Sequence, residues 1–145
     1  MAVVADILME KGGYVYAVDP LTTVVDATQL MNRHRIGALV VQEGGHVVGI
    51  FTERDVLTRV VAERRDPERT FVEQVMTSDV AVCYTDTPVE DVAAVMKAQR
   101  IRHLPVLDQQ DVMIGLISLG DINAYRVRHV EAEVQYLHEY IQGRA

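Results

Sequence analysis

The strongest constraint on this chain is an internal duplication, because three blocks of sequence recur in the same order at offsets of 65 to 67 residues. Chance could supply any one of these matches, whereas three in order indicate two copies of one unit. A copy of roughly 60 residues buries little core by itself, so we expect the two copies to pack together. The matched blocks are residues 6–9 with 73–76, 23–27 with 88–92, and 48–55 with 114–121.

Each copy follows the pattern β-α-β-β-α. Apolar residues recur at positions i, i+3, i+4 and i+7 of the first predicted helix, which indicates one buried helix face. The continuous apolar run that follows is typical of a strand buried on both faces. A second helix is expected to begin at Glu53 in one copy and at Leu119 in the other. The predicted strands are residues 14–18, 38–41 and 47–51 in the first copy, and 80–84, 104–107 and 112–117 in the second.

The predicted fold is a mixed α and β structure (α+β or α/β), in which the two repeats pack sheet to sheet with pseudo-two-fold symmetry. We expect the first repeat to cover residues 1–65 and the second to cover residues 66–125. The charged stretch 62–69, which contains Pro67, is predicted to link them. Residues 126–145 are predicted to form an additional C-terminal helix.

This C-terminal helix carries a heptad-like apolar pattern on an otherwise polar sequence. Two interpretations of the pattern are open: the helix packs on its own repeats, or it forms a contact between two copies of the chain. The position beyond the second repeat slightly favours a homodimer. The pattern, called the apolar seam below, comprises Val127, Val130, Val134, Leu137 and Ile141.

Charge and composition limit the class of protein. Fourteen Lys and Arg residues against 21 Asp and Glu residues give a net charge of −7, which argues against binding a nucleic-acid polymer. The apolar runs are too short for a membrane span, and the first residues do not resemble a signal peptide. Because Cys83 is the single cysteine, no intrachain disulfide is expected, and a reducing, cytoplasmic setting is predicted.

A motif of the form Gly-(apolar)₂-Ser/Thr-x-x-Asp occurs twice, ending in Thr52-x-x-Asp55 and Ser118-x-x-Asp121. One interpretation is structural, since a hydroxyl followed three residues later by an acid forms a capping box at a helix start. The other is functional, since a carboxylate in the first helical turn could accept hydrogen bonds from both hydroxyls of a ribose. The two interpretations are compatible.

A basic segment precedes the second buried strand, where Arg102 and His103 follow Ile101. A guanidinium matches the geometry of phosphate, and an imidazole adds a donor; a solvated strand start is the alternative. The equivalent first-copy positions are Gly37 and Ala38. We therefore expect two chemically unequal clefts, with the cleft that holds Asp121 as the better phosphate site.

Catalysis has little support in the sequence. The five histidines and the single cysteine lack the spacing of a metal site, and Cys83 lies on a predicted strand with no partner base indicated. We expect a protein that is not an enzyme and has no catalytic cofactor.

The ordered set of motifs over residues 5–125 resembles a CBS domain pair, also called a Bateman module. The resemblance rests on the tandem arrangement, on the two Ser/Thr-x-x-Asp motifs, and on residues 36–41 (IGALVV) against 101–106 (IRHLPV). It implies an adenosyl ligand, such as AMP, ATP, NAD(H) or S-adenosylmethionine, in clefts between the repeats. It also implies a homodimer. The function expected is a nucleotide sensor that regulates an unknown protein; the alternative is a ligand-independent dimerisation adaptor.

The resemblance also implies residue roles. Asp121 and Asp55 would hold ribose hydroxyls, with Ser118 and Thr52 near ribose or phosphate, while Arg102 and His103 would meet phosphate. The remaining expected contacts are Ile36, Gly37 and Tyr16 in the Asp121 cleft, and Ile101, Val80 and Ala81 in the Asp55 cleft. Gly37 and Ala38 stand where the family pattern has basic residues, which puts phosphate binding at the Asp55 cleft in question, and Arg54 is a residue that could compensate.

Overall fold

The computed structural model describes residues 1–12 and 14–143 and contains five α-helices and two three-stranded sheets within them. Residues 144–145 of the predicted tail lie outside the described part. The helices are α1 (Val4–Lys11), α2 (Val24–His34), α3 (Glu53–Asp55), α4 (Val89–Gln99) and α5 (Leu119–Ile141). The strands are β1 (Ala17–Val18), β2 (Ala38–Glu43), β3 (His46–Thr52), β4 (Cys83–Tyr84), β5 (His103–Leu107) and β6 (Met113–Ser118).

The two sheets share one topology. Their strand orders are β1-β2-β3 and β4-β5-β6. In each sheet the first strand is parallel to the second, and the second is antiparallel to the third. A bulge interrupts the antiparallel pair after Val41 in one sheet and after Val106 in the other. The predicted mixed α and β fold with two copies of one unit is confirmed, and the copies also agree with each other in strand order, strand direction and bulge position.

The helices that precede the buried strands end in the same uncommon way. The C-cap residues are Arg35 after α2 and Arg100 after α4, with φ of 54° and 55°. This left-handed conformation turns the chain sharply into the next strand and is adopted most readily by glycine. Two arginines therefore occupy positions where the backbone favours a residue without a side chain.

Each repeat completes the core of the other. Val4 and Ile7 of α1 are buried in the core of the second sheet, together with Leu104 and Ile117. In return, residues 72–75, which include a 3-10 turn (Val72–Gln74), contribute two valines to the core of the first sheet. The repeats are therefore interlocked at their first segments, and neither sheet has a full core without the other repeat.

The second helix of each copy begins where predicted, but the two copies then differ. After Asp55 the chain continues as a π-helix (Val56–Val61). After Ser118, in contrast, a single helix of 23 residues runs through the predicted boundary at residue 126. Strands β1 and β4 are shorter than predicted, and α1 was not predicted as a helix. Cys83 is buried, and burial raises the pKa of its thiol to about 12.

The apolar seam of α5 is exposed. Its side chains are between 50% and 82% accessible, so nothing in the described chain covers them. The alternative in which this helix packs its seam on its own repeats is wrong. The helix is held to the rest of the chain at its other faces, by Arg128 with Glu10 and by Arg126 with Glu90.

Within residues 1–12 and 14–143, no helix combines the length and apolar character that crossing a bilayer requires.

The surroundings of Gly49 and Gly115, the glycines that begin the two Gly-(apolar)₂-Ser/Thr-x-x-Asp motifs, lead to a prediction about stability. A Cβ on Gly49 would collide with Met76 Sδ and lie 2.9 Å from the Thr77 carbonyl oxygen, and that carbonyl is fixed by a 2.9 Å hydrogen bond from the Ile50 amide. A Cβ on Gly115 would meet only the Leu8 side chain, at 3.0 Å.

We expect Gly49→Ala to lower the free energy of unfolding by about 1–3 kcal/mol, as overpacking does, and Gly115→Ala to lower it less, because a side-chain end can move. Urea denaturation measures both. A larger loss for Gly115→Ala than for Gly49→Ala would show that the Thr77 carbonyl is not the more rigid neighbour.

Candidate functional site

Two clefts open between the repeats, one at the start of each second helix. We call them the Asp55 cleft, with a volume of about 420 Å³, and the Asp121 cleft, with a volume of about 340 Å³. Each combines the acid of one repeat with residues that precede the second strand of the other. The Asp55 cleft thus includes Ile101 and Arg102, whereas the Asp121 cleft includes Ile36 and Gly37.

Asp55 caps its own helix and is buried. Its Oδ2 accepts a hydrogen bond from the Thr52 amide at 2.9 Å and one from the Thr52 hydroxyl at 3.2 Å, while Arg59 Nε lies 3.6 Å from Oδ1. Burial raises the pKa of the Asp55 carboxyl, although the Thr52 amide and the Arg59 charge oppose the shift. The cleft thus holds a carboxylate that is poorly hydrated and close to a guanidinium.

Asp121 caps α5 in the same way, but a lysine also contacts it. Its Oδ2 accepts from the Ser118 amide at 2.9 Å and from Lys11 Nζ at 2.7 Å. The same ammonium donates to the Leu116 carbonyl at 2.6 Å. Oδ1 has no hydrogen-bond partner among residues 1–12 and 14–143. One oxygen of this carboxylate is therefore held by the fold, while the other is unbonded in the described chain, and the residue lines the cleft.

Both capping boxes of the structural interpretation are therefore formed. Each acid also lines a cleft. The positions of the two acids are thus compatible with both interpretations of the motif, and contact with a ribose remains a prediction.

His103 lies between the clefts and lines both of them. Burial lowers its pKa, and the positive charges of Lys11 and Arg102 add to the effect, while Asp121 and Glu53 oppose it. The imidazole is therefore neutral at pH 7, where it offers one donor and one acceptor to either cleft.

The structure corrects the expected location of Arg102. The sequence pattern grouped this residue with the Asp121 cleft, but it lines the Asp55 cleft. The reason is the crossed construction, in which the residues just before β5 line the cleft that holds the acid of the first repeat. The Leu119 amide fixes their backbone by donating to the Arg102 carbonyl at 2.8 Å. Among described residues, the permanent cations at the Asp121 cleft are Lys11 and Arg35.

The other predicted residues lie in the expected clefts. Tyr16 joins Ile36 and Gly37 in the Asp121 cleft, where its ring stacks on His34 at a centroid distance of 4.0 Å. Val80 and Ala81 join Ile101 in the Asp55 cleft. Their contacts with a ligand remain predictions.

Several cleft residues were not predicted from the sequence. Arg35 was not among the expected contacts, although Arg100 occupies the equivalent position in the other repeat, and this match was a usable signal. Lys11 had no such signal, since it reaches Asp121 through the packing of α1 on the distant second repeat. Tyr14 and Arg59 also line the clefts.

Comparison with known proteins agrees with this geometry. Residues 4–62 and 72–128 each match the CBS domain. The mitochondrial CBS domain-containing protein CBSX3 of Arabidopsis thaliana is 37% identical over 126 residues, which cover 83% of this chain and 61% of the plant protein. The CBS domain-containing protein YhcV of Bacillus subtilis is 35% identical over 108 residues, covering 74% and 76% of the two chains. The chain thus spans about three fifths of the plant relative.

Solved structures share the fold. A CBS-domain protein assigned to signal transduction, from Burkholderia ambifaria, is 38% identical with a TM-score of 0.84, covering 88% of this chain and 95% of its own. The hexameric CBS-CP12 protein of bloom-forming cyanobacteria is 30% identical with a TM-score of 0.75, covering 83% and 66%. With two matches over most of its length, this chain belongs to the CBS domain family and carries the domain as a tandem pair.

Proposed function

We propose that this protein is a regulatory module that binds an adenine nucleotide, such as AMP, ATP or NAD(H), between its two repeats without transforming it. The observation that carries the proposal is the pair of clefts, each with a carboxylate at the start of a helix and cationic side chains nearby. Assignment of a related structure to signal transduction supports a regulatory role.

The chemistry of the clefts suits a nucleoside phosphate. A carboxylate that lines the cleft and keeps one oxygen outside its capping bonds, such as Asp121, can accept from ribose hydroxyls. Arginine side chains bind phosphate through a planar fork. At the Asp121 cleft the amino end of α5, a helix of 23 residues, adds a favourable field for an anion.

A ligand bound in either cleft would contact both repeats at once. Because each cleft takes residues from the two halves, a ligand bound there stabilises their mutual packing by its binding free energy. A partner protein that binds the ligand-bound arrangement of the repeats more tightly than the ligand-free one would then sense the ligand. The regulated partner is unknown.

The exposed seam of α5 supports a homodimer as part of the proposal, since an uncovered apolar stripe on a helix marks a protein contact. The alternative function, a dimerisation adaptor that needs no ligand, is favoured by one observation: both acids already serve as helix caps. A cytoplasmic setting remains part of this proposal.

Nucleotide binding is tested by calorimetry with AMP, ATP and NAD(H). We expect saturable binding of at least one. Asp121→Ala or Asp55→Ala should weaken binding in its own cleft about tenfold or more, because a charge-assisted hydrogen bond contributes roughly 1.5–3 kcal/mol. Folded protein that binds none of the three would favour the adaptor, for which each change costs only about 1 kcal/mol of stability as a lost cap.

Asp55→Asn separates the effect of the Asp55 charge on folding stability from its effect on nucleotide binding. Because the pKa of Asp55 is raised in the folded state, the folded protein holds this proton more tightly than the unfolded chain. The protonated Asp55 carboxyl therefore contributes stability at acidic pH. This contribution is lost as the pH rises through the ordinary titration range of Asp and through the higher pKa of the folded state. Asn keeps an acceptor for the Thr52 amide and carries no charge.

We expect Asp55→Asn, without ligand at pH 7, to melt at a higher temperature than the unmodified protein, and to lose that advantage at pH 3. Nucleotide binding in this cleft should weaken. A lower melting temperature at pH 7 would show that the ionised form stabilises the fold.

The exposed apolar seam of α5 leads to a prediction about the assembly of two copies of the chain. Val134→Glu together with Leu137→Glu places two charges in the proposed contact, and sedimentation should show a monomer where the unmodified chain is a dimer. Glu133→Gln is the matched control on the same helix and should leave the dimer intact. If the double variant sediments like the unmodified protein, the interface lies elsewhere.

A further inference from the structure

We propose that Lys11 is a built-in competitor of the ribose at the Asp121 cleft. Its ammonium occupies an acceptor that a ribose would use, and it thereby lowers the affinity of this cleft for any ligand that binds through a ribose. This inference rests on the proposed function and deepens it, because it names a contact within the chain that regulates one of the two clefts.

The lysine fills one oxygen of the Asp121 carboxylate. Asp121 Oδ2 accepts from the Ser118 amide at 2.9 Å and from Lys11 Nζ at 2.7 Å. A carboxylate oxygen has two lone pairs, so these two donors leave Oδ2 no acceptor for a third. A ribose that binds with one hydroxyl on each oxygen of Asp121 must therefore displace the ammonium.

Two short hydrogen bonds hold the ammonium in place, because Lys11 Nζ also donates to the Leu116 carbonyl at 2.6 Å. Lys11 ends α1 in the first repeat, whereas both of its acceptors belong to the second repeat. The ion pair is only partly open to solvent, since the side chains of Lys11 and Asp121 are 33% and 23% exposed. Charge-assisted hydrogen bonds are stronger than those between neutral groups, so a ligand loses part of its binding free energy in displacing the lysine.

The strand carbonyl that Lys11 contacts does not require a lysine. Ile50 of the first repeat corresponds to Leu116 of the second, and there the Thr77 amide donates to the Ile50 carbonyl at 2.9 Å. A backbone amide thus satisfies this carbonyl in one repeat, and a charged side chain does so in the other. Unlike the amide, the lysine also brings a positive charge to the neighbouring carboxylate.

The Asp55 cleft has no equivalent competitor within residues 1–12 and 14–143. Asp55 Oδ2 accepts from the Thr52 amide and from the Thr52 hydroxyl, which are neutral groups of its own cap. The hydroxyl lies 3.2 Å away and can rotate toward another acceptor. Arg59 Nε lies 3.6 Å from Oδ1, which is beyond hydrogen-bond distance. Competition by an ammonium from the other repeat is therefore particular to the Asp121 cleft.

Calorimetry with adenosine tests the inference, because adenosine has a ribose and lacks the phosphates that would attract a lysine. Lys11→Met removes the ammonium and keeps an unbranched side chain. We expect it to raise the adenosine affinity of one cleft about tenfold, the effect of one charge-assisted hydrogen bond. Arg128→Met is the matched control, since it removes a different ion pair between α1 and α5 and lines neither cleft. It should leave the adenosine affinity within about twofold.

Two further measurements locate the effect. When Lys11→Met is combined with Asp121→Ala, the affinity should be no higher than that of Asp121→Ala alone, because the gain requires the freed carboxylate. In a crystal structure of the unmodified protein with adenosine in the Asp121 cleft, Lys11 Nζ should lie beyond hydrogen-bond distance from Asp121 Oδ2. This second measurement needs no variant and so does not depend on the folding of one.

The outcomes separate this inference from the proposed function. An adenosine affinity that is unchanged or lower in Lys11→Met overturns the competition and leaves nucleotide sensing intact, as does adenosine bound to Asp121 with Lys11 still on Oδ2. If AMP binds but adenosine binds neither the unmodified protein nor Lys11→Met, the ribose acceptor does not limit affinity, and the inference is again overturned. If folded protein binds neither adenosine nor any of AMP, ATP and NAD(H), with or without Lys11, the proposed function is overturned and this inference with it.

Discussion

The reciprocal packing of first segments is the interaction on which both clefts depend. Two valines from the second repeat's first segment are buried in the first core, and α1 is buried in the second. This exchange brings the acid of one repeat opposite the strand start of the other. If the repeats separated, each cleft would lose one wall, and each core would lose part of its apolar contact.

The two aspartates show how one side chain serves both fold and site. Each completes a capping box with the hydroxyl residue three positions earlier. In both acids the capping bonds go to Oδ2 and leave Oδ1 outside the cap. Their environments nonetheless differ: Asp55 is buried beside Arg59, whereas Asp121 is partly exposed and paired with Lys11. A duplicated sequence has thus produced two carboxylates with different electrostatics.

Much of the architecture could be predicted from the sequence, because it depends on local pattern. The duplication, the buried strands and the helix starts at Glu53 and Leu119 follow from periodicity and capping chemistry. What could not be predicted depends on which surfaces meet. The placement of Arg102 opposite Asp55, the reach of Lys11 to Asp121 and the exposure of the α5 seam arise from contacts between residues far apart in the chain. Helix α5 illustrates this limit, since its periodicity identified an apolar face and left open which surface packs against that face.

Different charged residues distinguish two clefts that are otherwise similar in construction. The most direct measurement is a crystal structure of the protein grown with ATP at a concentration sufficient to fill one site. We predict a nucleotide between the repeats, with its ribose hydroxyls against Asp55 or Asp121. Nucleotide bound outside both clefts, or density for no nucleotide at all, would contradict this account.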